Sequence, residues 1–215
     1  MRQRKAKDLE QRLEECAEFM IKNPCPEIWA ECFDEKADTF VEIGCGKGNF
    51  IIKKAMDNPD CNFVAIEGQE TVILRAMEKV LALKEEGVSL DNLKFMCTFV
   101  EDMRDLFPVK SLAGIYLNFS DPWPKARHAK RRLTYHKRLE NYGTVIRDGG
   151  FIEFKTDNDN LYDFTLEEID KINYAILEQT DNLHDSSYDS RLTMTEYEQK
   201  FCEQGKNINY VKIVL

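Results

Sequence analysis

The chain has 215 residues, 43% hydrophobic and 32% charged, with a formal net charge of −9. That balance suits one globular domain with a core large enough to stand without staples, and it excludes a disordered or membrane-embedded chain. Seven cysteines, an odd number with no C-x-x-C pair, speak against a disulfide framework and a structural zinc site. The expectation is a metal-free cytoplasmic protein whose thiols are mostly small buried hydrophobes.

The first sixteen residues carry Arg2, Arg4, Lys5 and Lys7, but no apolar stretch of signal-peptide type follows. No apolar run approaches the ~20 residues that span a bilayer, so no membrane partner is expected. A helical pattern over 7–23 precedes the first strand. From there strands and helices alternate. Strands are predicted at 39–44, 62–68, 93–99, 112–119, 151–158, 174–181 and 208–215. Helices are predicted at 48–58, 70–87 with Gly87 as its stop, 133–150 ending in Gly149-Gly150, 160–173 and 195–205. The alternation indicates an α/β fold: a doubly wound, mostly parallel, seven-stranded Rossmann-like sheet, with residues 1–215 forming one domain. Ligands of such sheets bind beyond the carboxyl ends of the strands, so the residues after each strand are the candidates for a site.

After the first strand stands EIGCGKG, with Gly44, Gly46 and Gly48 in a G-x-G-x-G spacing that matches neither the dinucleotide fingerprint nor the P-loop. Glu42 within that strand repels a pyrophosphate and suits a cationic ligand, which disfavours a nicotinamide enzyme. Glu67 ends the second strand, 19 residues beyond Gly48, where a carboxylate can accept both hydroxyls of a ribose. After the third strand, Phe99 and Val100 could sandwich an adenine, and Glu101 or Asp102 could accept from its amino group. Glycine turn, ribose acid and alternating pattern together suggest S-adenosylmethionine, which has a positive sulfur and no phosphate. After the fourth strand comes Asp121-Pro122-Trp123-Pro124, stiffened by two prolines. Between Lys125 and Arg138 lie seven cations and no acid, so the rest of the chain carries −16. Such a block on an acidic body can hold a polyanion locally. Trp123 could stack on an unstacked base or pack under the proline turn. His128 and His136 show no partner. Lys155 and Asp157 end the fifth strand facing the same crevice. Thr195 and Glu198 have capping-box spacing, which does not prevent the same residues from reaching a ligand.

The stretches YLNFSDPWPKARHAKRRLT, EIGCGKG, IEGQ, FKTDN and MTEYEQKF together resemble the bacterial tRNA (guanine-N7)-methyltransferases over nearly the whole chain. The resemblance implies an S-adenosylmethionine-dependent enzyme methylating a guanine of the tRNA variable loop, monomeric or homodimeric, on a methyltransferase sheet whose last strand is antiparallel. It assigns Glu42, Gly44, Gly46, Glu67, Phe99 and Asp121 to the cofactor, with Asp121 also the active-site residue. It assigns Lys125, Asp157, Thr195, Glu196, Tyr197 and Glu198 to the guanine substrate. Arg127, His128, Lys130, Arg131 and Arg132 match the segment expected to touch RNA. Phe99 departs from the family pattern, which places an acid toward adenine there; either Glu101 or Asp102 replaces that bond, or stacking does. Guanine N7 carries a lone pair and no proton, so no general base is needed. Asp121, Asp157 and Glu198 are suited to accept from guanine N1–H and the 2-amino group. The competing readings are a methyltransferase acting on a small molecule or protein, which leaves the cations unused, and a non-catalytic RNA-binding Rossmann module.

Overall fold

The structure is a computed structural model that describes residues 8–33 and 37–215. The basic cluster Arg2–Lys7 lies outside the described residues. The elements are helices α1 (Leu9–Glu15), α2 (Asn49–Asp57), α3 (Glu70–Glu85), α4 (His136–Val145), α5 (Asp159–Asp170) and α6 (Glu196–Glu203). The strands are β1 (Thr39–Ile43), β2 (Asn62–Ile66), β3 (Leu93–Met96), β4 (Leu112–Asn118), β5 (Ile146–Thr156), β6 (Ala175–Thr180) and β7 (Asn209–Val214).

The seven strands form one sheet in the order β3-β2-β1-β4-β5-β7-β6. The first five positions are parallel, and β7 runs antiparallel to both neighbours. Successive side chains of a strand point to opposite faces. Val41, Ile43, Val64 and Ile66 therefore join α4 and α5 through Leu139, Tyr142 and Leu161. Phe63 and Ala65 pack on the other side against Ile51, Ile73 and Met77 of α2 and α3. Helices cover both faces, which is why all seven residues of β4 are buried. The chain reverses direction of winding between β1 and β4, and that switch point opens the crevice where the site lies.

Gly87 ends α3 as expected. It has φ +86°, its N–H donates to Lys84 O (3.0 Å), and Val88 N–H donates to Leu83 O (2.9 Å). Two expectations need correction. The helix drawn over 133–150 spans only 136–145, and β5 starts at Ile146. The β-branched pair Val145-Ile146 favours extended backbone, and Ile146 pairs with Leu112. Gly149 turns the chain within β5 at φ +77°, and a Cβ on Gly150 would lie 2.8 Å from Ala113 O. Those glycines serve a bend in the strand, not a helix cap. The helical pattern over 7–23 breaks at Cys16, whose buried side chain starts a 3₁₀ turn over Ala17–Phe19. Ile21 N–H then donates to Phe95 O (2.9 Å) beside β3.

All seven cysteines are free thiols, but only Cys16 and Cys45 are buried; the other five are half-buried. No helix among the described residues is long and apolar enough to cross a membrane. Among the described residues no group of three or more His, Cys, Asp or Glu could hold a metal ion.

Candidate active site

At the end of β1, Gly44, Gly46 and Gly48 all have positive φ, between +57° and +80°. Among the described residues nothing lies within 4 Å of a Cβ built on Gly44 or Gly46, so the loop backbone stays open to a ligand. Glu42 sits just beneath, 2% exposed. Asn118, at the end of β4, donates from Nδ2 to Glu42 Oε1 at 2.9 Å. Glu42 Oε2, Asn118 Oδ1 and Ser120 Oγ are buried and have no hydrogen-bond partner among the described residues. Burial in a low-dielectric site disfavours the carboxylate and pushes Glu42 up to about 7, against the bond from Asn118.

Glu67, half-buried at the end of β2, accepts from Gln69 N–H at 3.0 Å. The Phe99 ring lies against Gly68, where an added Cβ would overlap it, and stays 74% exposed. Asp102 is occupied elsewhere. It caps the Met103–Asp105 turn, pairs with Arg104 and accepts from Asn141 Nδ2 at 2.7 Å. Its hydrogen bonds with Arg104 and Asn141 hold the carboxyl well below the usual carboxylate range. Of the residues weighed for the adenine side, Phe99 is the one lying over the end of β2.

The loop after β4 is bracketed by two side-chain-bearing residues in left-handed backbone, Phe119 (φ +50°) and Trp123 (φ +40°). Asp121 between them is exposed. Arg132 holds the proline turn from behind. Its Nε donates to Pro122 O (3.0 Å), its Nη2 donates to Trp123 O (3.1 Å), and its guanidinium lies 4.1 Å from the Phe164 ring of α5. Trp123 carries the Arg131 guanidinium over its ring at 4.9 Å and the His128 edge at 5.6 Å. Lys125, Arg127, Lys130 and Arg131 are exposed. Arg138 is a second strut, donating from Nη1 to Val100 O (3.0 Å). His136 does have a partner: Glu168 Oε2 lies 2.7 Å from His136 Nδ1 and also accepts from the His136 N–H.

Lys155 and Glu198 are placed differently from their sequence expectation. Neither faces the crevice; both are 0% exposed. Lys155 Nζ donates to Ser190 O (2.6 Å), Thr193 O (3.0 Å) and both Glu198 oxygens (3.3 Å). Glu198 also accepts from Thr195 N–H (3.2 Å), while its own N–H donates to Thr195 Oγ1 (2.9 Å), completing the capping box. Burial lowers the Lys155 pKa, opposed by Glu198 and Glu153. Glu198 is thus a fastener beneath the segment, and a direct bond to guanine is not available to it in this arrangement. Thr195, Glu196 and Tyr197 do reach the crevice, lining one cavity with Glu42, Gly44 and Gly46. Glu196 bridges to Lys47 of the glycine loop (3.4 Å) and Lys79 of α3 (3.0 Å). Tyr197 is 61% exposed and stacks on Phe119 at 6.5 Å, which in turn stacks on Phe201 at 6.0 Å. Asp157 is half-buried just beyond β5. Asn118, Phe119 and Ser120 belong to the site and escaped the sequence reading. A lone Asn closing a buried apolar strand was the available signal.

Sheet order, inverted last strand and glycine turn define the methyltransferase variety of the Rossmann-like fold. Solved structures agree on the fold: 16S rRNA methyltransferase KamB superposes with a TM-score of 0.68 at 11% identity, covering 90% of this chain and 95% of that one. An antibiotic-related methyltransferase superposes with a TM-score of 0.61 at 14% identity, covering 87% and 92%. Residues 36–211 match the family model Methyltransf_4, described as a methyltransferase. Among curated proteins, tRNA (guanine-N(7)-)-methyltransferase of Mesoplasma florum is 46% identical over 82% of this chain and 80% of its own length. Those of Clostridioides difficile and Mycoplasma pneumoniae are 39% and 40% identical, each over 97% of this chain and 96% of their own. The chain belongs to the tRNA (guanine-N7)-methyltransferase family.

Proposed function

We infer that the protein transfers a methyl group from S-adenosylmethionine to N7 of a guanine in tRNA, in the variable loop. The observation that carries the reading is a juxtaposition across the β1–β4 switch point. A buried acid with an unpartnered oxygen lies on one side, and an exposed run of cations around Trp123 lies on the other. Family membership supports the same reading.

The residues fit the methyl donor: Glu42 Oε2, Asn118 Oδ1 and Ser120 Oγ are buried polar atoms awaiting partners beside an open glycine backbone. Glu42, Asn118, Gly44 and Gly46 would hold its amino-acid end, Glu67 its ribose, and Phe99 its adenine. S-adenosylmethionine supplies an electrophilic methyl on a cationic sulfur. The protein's task is orientation, plus negative charge where positive charge grows on the base. Asp121 stands at the end of β4 for that purpose. Asp157, Thr195, Glu196 and Tyr197 surround the space a guanine would enter, and Lys125 borders it. Lys125, Arg127, His128, Lys130 and Arg131 would hold phosphates, positioning the RNA without reading its sequence. Arg132 serves that surface from behind as a strut. We place the protein, as one domain acting as a monomer or homodimer, in the cytoplasm, a reading supported by its seven free thiols.

The test is incubation with methyl-labelled S-adenosylmethionine and bulk tRNA, followed by nucleoside analysis. Label in N7-methylguanosine is the expected result; label in another nucleoside, or in none, overturns the reading.

A further inference from the structure

Lys79 has no part in the proposed chemistry, yet it stands where the two halves of the site meet. It lies on α3, three residues after Ala76, and residues three apart share a helix face. Ala76 packs closely on the glycine loop: a Cβ on Gly48 would come within 2.7 Å of its side chain. The same face therefore brings the Lys79 ammonium to that loop. Its Nζ donates to Lys47 O in the loop (2.8 Å), to Asn49 Oδ1 at the start of α2, and to Glu196 Oε1 at the start of α6 (3.0 Å). An ammonium has three donors, and these three acceptors sit on three separate elements. The Glu196 carboxylate is held twice, because Lys47 Nζ lies 3.4 Å from its other oxygen. Both ends of this tie line one cavity: Gly44, Gly46 and Lys47 on the glycine loop, and Thr195, Glu196 and Tyr197 on the segment entering α6. The cavity measures about 60 Å³. That is small beside the roughly 300–1,000 Å³ of common ligand pockets, so a group entering it bears on both segments at once.

We propose that Lys79 is a positioning residue that couples the cofactor to the RNA: it fastens the guanine-facing segment to the glycine loop, so that filling the cofactor half sets the other half for tRNA. A ligand seated against the glycine loop orders that loop, and through Lys79 and Glu196 it orders Thr195 and Tyr197 as well. The tRNA then meets a segment already in place and loses less conformational freedom on binding. Lys155 under Glu198 ties the segment to β5, and Phe119 under Tyr197 ties it to the loop after β4. Those supports lead away from the cofactor loop, whereas the Lys79 tie leads to it. The coupling is reciprocal, as any linkage of two binding equilibria must be. The proposal rests on the functional reading that this crevice takes both ligands.

The test measures binding of an unmodified tRNA transcript with and without saturating S-adenosylhomocysteine, the demethylated form of the methyl donor. In the parent the small ligand tightens tRNA binding about fivefold or more, and tRNA tightens the small ligand by the same factor. Lys79→Met brings that factor close to one. Lys79, Lys47 and Glu196 are half-buried or exposed, and ion pairs of that kind add little stability, so the variant keeps its melting temperature. Glu196→Ala loses the coupling in the same way, and adding Lys79→Met to it lowers the coupling no further, because both changes cut one tie. A parent without coupling, unchanged coupling in Lys79→Met, or a further loss in the double variant each overturns the proposal alone. Failure of the parent to bind S-adenosylhomocysteine or tRNA at all overturns the functional reading and the proposal with it.

Discussion

The two halves of the crevice are built on opposite principles. The floor of the crevice around Glu42 is buried and acidic, and three polar atoms there, one on β1 and two at the end of β4, have no partner among the described residues. The basic run from Lys125 onward is exposed, yet the groups that brace it from behind are tied down. Arg132 holds the proline turn, Arg138 holds Val100, and Lys155 with Glu198 holds the segment leading into α6. A small ligand can satisfy unpartnered buried atoms itself, so its site can be left incomplete. A macromolecular substrate needs a surface that keeps its shape beforehand, because phosphate contacts position it only if the cations stay in register.

Five variants, one of them with a rescue, test that contrast. The largest effect is expected from Lys155→Met, which removes the buried ammonium and leaves the Glu198 carboxyl to the Thr195 N–H and to His184 Nε2 at 3.0 Å. Breaking such a pair costs roughly 3–5 kcal/mol, and urea unfolding measures it. Lys155→Met combined with Glu198→Met recovers much of that stability; a single variant as stable as the parent would show that the pair is not a fastener. Next comes Asp121→Ala, expected to lower the single-turnover rate of methyl transfer by roughly 10²–10³ while the melting temperature stays put. Loss of activity accompanied by unfolding would move Asp121 from chemistry to structure.

Smaller effects separate the cations that touch RNA from those that brace the loop. Replacing Arg127, Lys130 and Arg131 together by Gln should weaken tRNA binding about tenfold or more and reduce the slope of log affinity against log salt by about 2–3. Arg132→Gln should lower the melting temperature and leave that slope nearly unchanged. Equal slopes for the two variants would erase the distinction. The smallest expected effect is on the other side: Phe99→Ala should weaken S-adenosylmethionine binding roughly three- to tenfold by loss of a stacking surface, with tRNA affinity unaltered.

Much of this was legible in the residues. The βαβ alternation, the glycine turn, the helix stop at Gly87 and the Thr195/Glu198 capping box are local patterns, and local patterns survive in one dimension. What escaped lies in contacts between distant residues. Lys155 meets Glu198 across 43 positions, His136 meets Glu168 across 32, and Arg132 reaches Phe164 of α5. A charged residue at a strand end reads the same whether it faces a ligand or a buried partner. The helix over 133–150 was overdrawn because Gly149-Gly150 resembles a cap, and the pairing of Ile146 with Leu112 outweighs that signal.

Phe119 and Trp123 stand in backbone that glycine would adopt freely, at a cost on the order of 1 kcal/mol each. In return one ring is fixed beneath Tyr197 and the other beneath Arg131. The loop therefore sits where heat resistance and activity pull apart. Selection for thermostability alone would favour relaxing these two turns, and an enzyme improved in that way would lose the ring positions on which its RNA-facing side is assembled.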